Sequence, residues 1–213
     1  MKKLLVIPFL AAIFFASCKK NTDTVSTEVT YSVPTITVNG QQYFSINVGG
    51  SLPTVSATAY DSFYKETYPV VMDASTLDNT TPGLYIVSLK ASNKYGMVGT
   101  SGVYVAVTNI DPAIDLSGNY QRVSNGAPAT LTELANGLYR TSNISGALSG
   151  ANEGYFVQID DTTIQVPVQV APSFGTLYGS QASVHMAVGD TSYQYVLGPS
   201  STFAQSVRVF QKL

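Results

Sequence analysis

A period of two in apolar side chains constrains this chain more than any other feature. In the run Gly83-Leu84-Tyr85-Ile86-Val87-Ser88-Leu89-Lys90-Ala91-Ser92-Asn93, Tyr85, Val87, Leu89 and Ala91 fall on one side of an extended backbone; Ser88, Lys90 and Ser92 fall on the other. Successive side chains of a strand point to opposite faces, so the run predicts a strand with one face buried against a second sheet. No stretch sustains a helical period. Short alternating runs recur instead between Gly, Pro, Asn and Asp. They lie near 29–38, 43–48, 53–60, 68–72, 83–92 and 96–108, then near 118–124, 129–134, 138–144, 154–160, 162–170, 175–187, 191–197 and 203–211. That is the signature of an all-β chain.

Turn chemistry divides these runs. Asn93-Lys94-Tyr95-Gly96 supplies a turn before Val103, Val105 and Val107 resume the alternation. Asn109-Ile110-Asp111-Pro112 favours a chain reversal and marks a boundary, giving domains over 29–110 and 111–213. In the second, Asp160-Asp161 separates two alternating runs, and Gly189-Asp190 separates two more, so each predicts a tight hairpin. The short strands and connections of 111–213 predict an antiparallel meander, either an up-and-down barrel or a curved β-sandwich. Val207, Val209 and Leu213 predict a C-terminus paired into a sheet.

The first seventeen residues, MKKLLVIPFLAAIFFAS, have the parts of a secretory signal: Lys2 and Lys3, an apolar run over 4–16, and small residues before Cys18. That run is short for a transmembrane helix. Cys18 is the single cysteine, which excludes an intramolecular disulfide and a thiolate metal cluster. The sequence Phe15-Ala16-Ser17-Cys18 resembles a bacterial lipobox, with Phe15 where Leu is usual, a departure tolerated in Bacteroidetes-type lipoproteins. The resemblance implies cleavage before Cys18 and lipid on that cysteine. Two or more buried acyl chains make a stable anchor. An ordinary secreted protein and an uncleaved anchor helix are the alternatives. Residues 18–28 are polar apart from Val25 and predict a flexible tether.

The stretch Pro82-Gly83-Leu84-Tyr85-Ile86-Val87 through Ala91-Ser92-Asn93-Lys94-Tyr95-Gly96 resembles the penultimate strand and last hairpin of bacterial immunoglobulin-like domains, over about 29–108. The resemblance implies an immunoglobulin-like sandwich in which Tyr85 makes a corner with upstream backbone. Val87 stands where antibody domains carry a cysteine, so packing replaces the bridge. For function this implies little, because the fold hosts many unrelated roles. Lipobox, tether, immunoglobulin-like module and C-terminal β module together resemble a class of Bacteroidetes surface lipoproteins. Their second domain has no known function, and their relatives are associated with glycan uptake. This implies an outer-membrane lipoprotein at the cell surface, with the periplasmic face as the alternative.

Composition removes some function classes. With Lys2 and Lys3 in the signal segment, nine of the 11 Lys+Arg remain beside 13 Asp+Glu, and Lys65, Lys90, Lys94, Arg122, Arg140, Arg208 and Lys212 are scattered, without a basic patch. Nucleic-acid binding needs clustered positive charge, so no such partner is expected. His185 is the only histidine, and no Gly-x-Ser-x-Gly nucleophile elbow accompanies it. Paired carboxylates for glycoside hydrolysis would have to come from Glu28, Glu66, Glu133 and Glu153 or from the turn pair Asp160-Asp161. Asp73, Asp78 and Asp111 lie near predicted loops, but without the dense spacing of a calcium loop. The expectation is a binding protein without enzymatic activity, cofactor or metal. A structural or adhesion spacer is the second reading and a glycoside hydrolase the third. The candidate ligand-binding residues are Tyr60, Phe63, Tyr64 and Tyr68 in the segment Tyr60-Asp61-Ser62-Phe63-Tyr64-Lys65-Glu66-Thr67-Tyr68. Their rings could stack on sugar faces while Asp, Lys and Glu bond hydroxyls. A glycan or an envelope protein is the expected partner, beside the membrane itself.

Overall fold

The structure, a computed structural model, describes residues 31–150 and 152–213. The predicted signal peptide over 1–17, Cys18 and the tether through 28 lie outside the described residues. Every regular element among the described residues is a strand, so the described fold is all-β.

The first seven strands are β1 (Thr35–Val38), β2 (Tyr43–Ile46), β3 (Ala57–Asp61), β4 (Glu66–Tyr68), β5 (Val71–Asp73), β6 (Gly83–Ser92) and β7 (Val98–Val107). They form a three-stranded sheet, β1-β3-β4, and a four-stranded sheet, β2-β7-β6-β5. Within the second sheet β2 runs parallel to β7, whereas β5 and β7 flank β6 antiparallel. Phe44, Ile46, Val87, Leu89, Val103, Val105 and Val107 make the core, with Ile36, Val38 and Ala57 of the smaller sheet packed against it. The two sheets therefore form a sandwich. On β6 Val87, Leu89 and Ala91 are buried while Lys90 and Ser92 are exposed, as the period of two requires. The Tyr85 hydroxyl donates to Thr81 O at 2.9 Å, a corner with upstream backbone.

The expected run over 68–72 is a correction. The structure splits it into β4 and β5, which belong to different sheets. Pro69 lies at the crossing; lacking an N–H, it cannot continue a ladder, and the chain passes between sheets there.

The remaining strands are β8 (Gly118–Arg122), β9 (Pro128–Ala135), β10 (Leu138–Thr141), β11 (Gly154–Gln158), β12 (Ile164–Gln165), β13 (Gln169–Ala171), β14 (Gly175–Ala187), β15 (Asp190–Gly198) and β16 (Arg208–Lys212). They make one nine-stranded sheet, β12-β11-β10-β9-β8-β16-β15-β14-β13. The last strand, β16, pairs antiparallel with the first, β8. The sheet curls until its two edges meet. Val184 N donates to Thr162 O at 2.8 Å and Gly179 N to Val166 O at 3.0 Å, and Thr163 bridges Ser183. At this seam a Cβ on Gly179 would lie 2.5 Å from Val166 Cβ, so only glycine permits the approach. With β12 and β13 counted as one broken strand the nine become eight, an up-and-down barrel. Asp160 caps its turn by accepting Thr162 N and Thr163 N, each at 2.8 Å. Gly189, at φ 77°, turns β14 into β15.

Side chains fill the barrel. Tyr120, Tyr139, Phe156, Tyr193, Tyr195 and Phe210 are buried among Leu116, Leu131, Ile144 and Leu177. Tyr193 is central: its ring lies 4.9 Å from those of Tyr120 and Phe210 and 5.2 Å from that of Phe156. A third cluster joins barrel and sandwich through buried Ala106, Leu138 and Val157, with Tyr43, Leu84 and Tyr104 packed on it. Thr108 Oγ1 donates to Gln158 O at 2.6 Å and Asn136 Nδ2 to Ile110 O at 2.9 Å, so Ser32–Leu213 form one compact unit.

Candidate functional site

Where the third cluster reaches the surface it opens into a cleft of about 440 Å³. One wall is the outer face of the larger sandwich sheet. Ile86 of β6 pairs with Tyr104 of β7, and Leu84 lies on the same face. Gly102 keeps that face shallow, since a Cβ there would come within 3.0 Å of Ile86. The other wall comes from the barrel: Tyr155 of β11, the segment 167–170, and Thr176 of β14.

Pro167 gives the barrel wall its shape. It breaks the strand between β12 and β13, and the backbone of Tyr155 loses its ladder partner there. The Gln169 side chain takes that place: its Oε1 accepts Tyr155 N at 2.7 Å and its Nε2 donates to Tyr155 O at 2.8 Å. The segment is thereby held with Val168 and Val170 turned outward, 70% and 76% exposed, across from Ile86 at 54%. The floor is aromatic. Tyr104 lies 5.4 Å from Tyr43 and 5.2 Å from Tyr155, ring centre to ring centre. Burial raises the pKa of the Tyr104 and Tyr155 phenols above the ordinary value, and both, protonated at neutral pH as any phenol is, can donate hydrogen bonds. Glu153 on the rim is exposed and 3.9 Å from the Arg140 guanidinium.

The sequence-predicted residues Tyr60, Phe63, Tyr64 and Tyr68 lie elsewhere, at the other end of β6, and none is fully buried. Phe63 and Tyr64 meet edge to face at 5.0 Å. Tyr60 pairs with Thr67, and Tyr68 with the buried Ala59, which places Tyr60 and Tyr68 on opposite faces of their sheet. The Tyr68 hydroxyl is committed to Glu66 at 2.6 Å. Lys94 Nζ binds the other Glu66 oxygen at 2.8 Å and lies 5.2 Å from the Tyr64 ring. Exposed Tyr95, outside the sequence-predicted set, joins Tyr64 at 4.8 Å.

The other candidate groups are dispersed. His185 is an exposed side chain on β14, 3.7 Å from Asp190 across the hairpin. Asp73 pairs with Lys90 at 2.8 Å, while Asp78 and Asp111 accept backbone N–H groups two residues onward. Burial raises the Glu133 carboxyl, which accepts Gly137 N at 3.2 Å inside the fold. Among the described residues no three His, Cys, Asp or Glu side chains converge as a metal site.

No family model matches the chain, and no curated protein matches it significantly. Among solved structures, the lipoprotein BT2262 from Bacteroides thetaiotaomicron is similar at 18% identity with a TM-score of 0.38, over 84% of this chain and 100% of that one.

Proposed function

We propose that the protein is a membrane-anchored lipoprotein of the cell envelope whose folded part is a non-enzymatic binding module, with the cleft between sandwich and barrel as its site. The anchor rests on the signal segment and Cys18. The binding role rests on one observation: Ile86, Val168 and Val170 are exposed toward a single cleft that neither module fills. Its 440 Å³ falls within the size range of small-molecule sites, which combine apolar walls with a few placed polar groups. Here those groups are the phenols of Tyr104 and Tyr155, the Glu153 carboxylate and the Thr176 hydroxyl. This suits a ligand with an apolar body and a hydroxyl-bearing edge, a description that the face of a short glycan meets.

The test is a titration of the chain lacking residues 1–18 with N-phenyl-1-naphthylamine, an uncharged aromatic probe that fluoresces on leaving water. Saturable fluorescence is expected, abolished by the double substitution Ile86→Gln and Val170→Gln with the melting temperature retained. Displacement of the probe by soluble oligosaccharides would assign the ligand class. A probe signal indifferent to both substitutions would refute the cleft as the site.

A further inference from the structure

The end of the sandwich remote from the cleft is where the chain enters the fold. β1 begins there at Thr35, β3 ends at Asp61, β4 begins at Glu66, β6 ends at Ser92 and β7 begins at Val98. The entering segment is fastened. Ser32 Oγ donates to Asp61 Oδ1 at 2.6 Å, and Asn93 Nδ2 donates to Ser32 O at 2.8 Å and to Asp61 Oδ2 at 3.2 Å. Asp61 also accepts Phe63 N at 3.1 Å and Tyr64 N at 3.2 Å, so one buried carboxylate ties the entry point to the aromatic loop. At this end of the sandwich Val33, Tyr60, Phe63, Tyr95 and Val98 expose large apolar side chains, Tyr60 on the outer side of the smaller sheet and Val98 on that of the larger. Apolar side chains gathered in this way at one end of a fold usually mark a contact surface.

Covalent geometry bounds what can reach it. Thirteen residues lie between Cys18 and Ser32. At a maximum of about 3.3–3.6 Å per residue they reach no more than roughly 50 Å. A lipid on Cys18 therefore tethers the fold by this end, within roughly 50 Å of the bilayer.

We propose that this aromatic end is a membrane-contact face, seated in the interfacial layer of the bilayer that holds the Cys18 lipid. The proposal rests on the anchor reading above. Tyr60 and Tyr95 combine an apolar ring with a hydroxyl suited to the headgroup level, as Tyr does in interfacial aromatic belts, and Phe63 adds apolar area. Lys65 and Lys94 have stems long enough to lie along the apolar layer with their ammonium groups in water. Because Lys94 is neutralised by Glu66 at 2.8 Å, the contact depends on apolar area more than on anionic lipid. The cleft then faces away from the membrane. Leu84 and Ser92 are eight residues apart on one strand, roughly 26 Å at the strand rise, so a ligand meets the cleft outside the headgroup layer.

The chain contains no tryptophan, so Phe63→Trp supplies a single fluorescent reporter, and Val123→Trp on the exposed barrel surface a matched control. Both variants, carrying their lipid, are reconstituted into phosphatidylethanolamine–phosphatidylglycerol vesicles with brominated acyl chains. The proposal expects a blue shift and several-fold stronger quenching for Phe63→Trp than for Val123→Trp. Protein that pellets with vesicles yet shows equal quenching at both positions overturns the contact face and leaves the anchor intact. Protein that does not pellet instead defeats the anchor reading. In that case the same reporters in a Cys18→Ala chain added to vesicles decide the face alone, an unshifted Phe63→Trp emission overturning it. A shift produced by soluble oligosaccharide without vesicles gives the surface to a glycan and also overturns the proposal.

Discussion

Two tyrosines on one strand should respond oppositely to loss of a hydroxyl. Tyr193 and Tyr195 of β15 both point into the barrel and both are buried. The Tyr195 hydroxyl donates to Ile144 O at 2.7 Å. Tyr195→Phe removes that bond and leaves a buried carbonyl unpaired, at a cost of about 1–3 kcal/mol. The Tyr193 hydroxyl is also buried and makes no hydrogen bond of acceptable geometry, although the Thr141 side chain lies near it. Burial without a partner is a cost that Tyr193→Phe relieves, so stability should stay within about 0.5 kcal/mol of wild type or rise. The ring itself is indispensable. Tyr193→Ala empties the contacts with Tyr120, Phe156 and Phe210 and should cost about 3–5 kcal/mol. Urea unfolding followed by circular dichroism at constant temperature measures all three. Equal losses for the two phenylalanine variants would show that Thr141 satisfies Tyr193, and the reasoning about its orphaned hydroxyl would be wrong.

The other predictions concern the face assignment, the entry network and the domain boundary. Val87 is fully buried, so Val87→Asp should cost several kcal/mol or force its acid to neutralise, while Ser88→Asp on the partly exposed face should be nearly silent by the same unfolding assay. For Asp61, burial raises the carboxyl pKa, but hydrogen bonds from Ser32, Asn93, Tyr64 N and Phe63 N outweigh it and hold the carboxyl below its ordinary value of 3.8. Its stabilisation is therefore complete above that value and is lost as pH falls through the lower folded pKa. A pH series should show Asp61→Asn flattening that acid limb, and unchanged steepness would count against the network. Expressed alone, residues 112–213 should show strand-dominated circular dichroism. An unfolded fragment would mean that the cluster of Ala106, Leu138 and Val157 is a core the two halves must share.

Strands whose two faces differ in polarity were legible from the residues alone. β6 is one, because its inner face meets a second sheet and its outer face meets solvent along most of its length. The cleft was not legible, for a local reason. Ile164, Val166, Val168 and Val170 share one parity, and uninterrupted alternation would send all four into the barrel. Ile164, Val166 and Ala171 are buried, whereas Val168 and Val170 are exposed, so the phase flips at Pro167. A proline within an alternating run is a signal for such a flip, though it does not say which half turns outward. The aromatic end was half legible. The cluster over 60–68 is contiguous in sequence, but Tyr95 and Lys94 reach it only through the β6–β7 turn, and opposite-face placement separates Tyr60 from Tyr68. Neither relation exists until the sheets form. Short strands and hairpins gave the antiparallel meander but left barrel and curved sandwich open, because closure depends on the seam of Thr162, Val166, Gly179 and Val184, where no local motif signals pairing.

The anchor reading, and the membrane-contact face built on it, depend on lipid at Cys18. The direct measurement is metabolic labelling with palmitate, followed by membrane fractionation of the wild type and of Cys18→Ala. The account predicts a labelled wild-type protein in the membrane fraction, and a Cys18→Ala protein that is unlabelled and released. Label or membrane attachment that survives the substitution would contradict it.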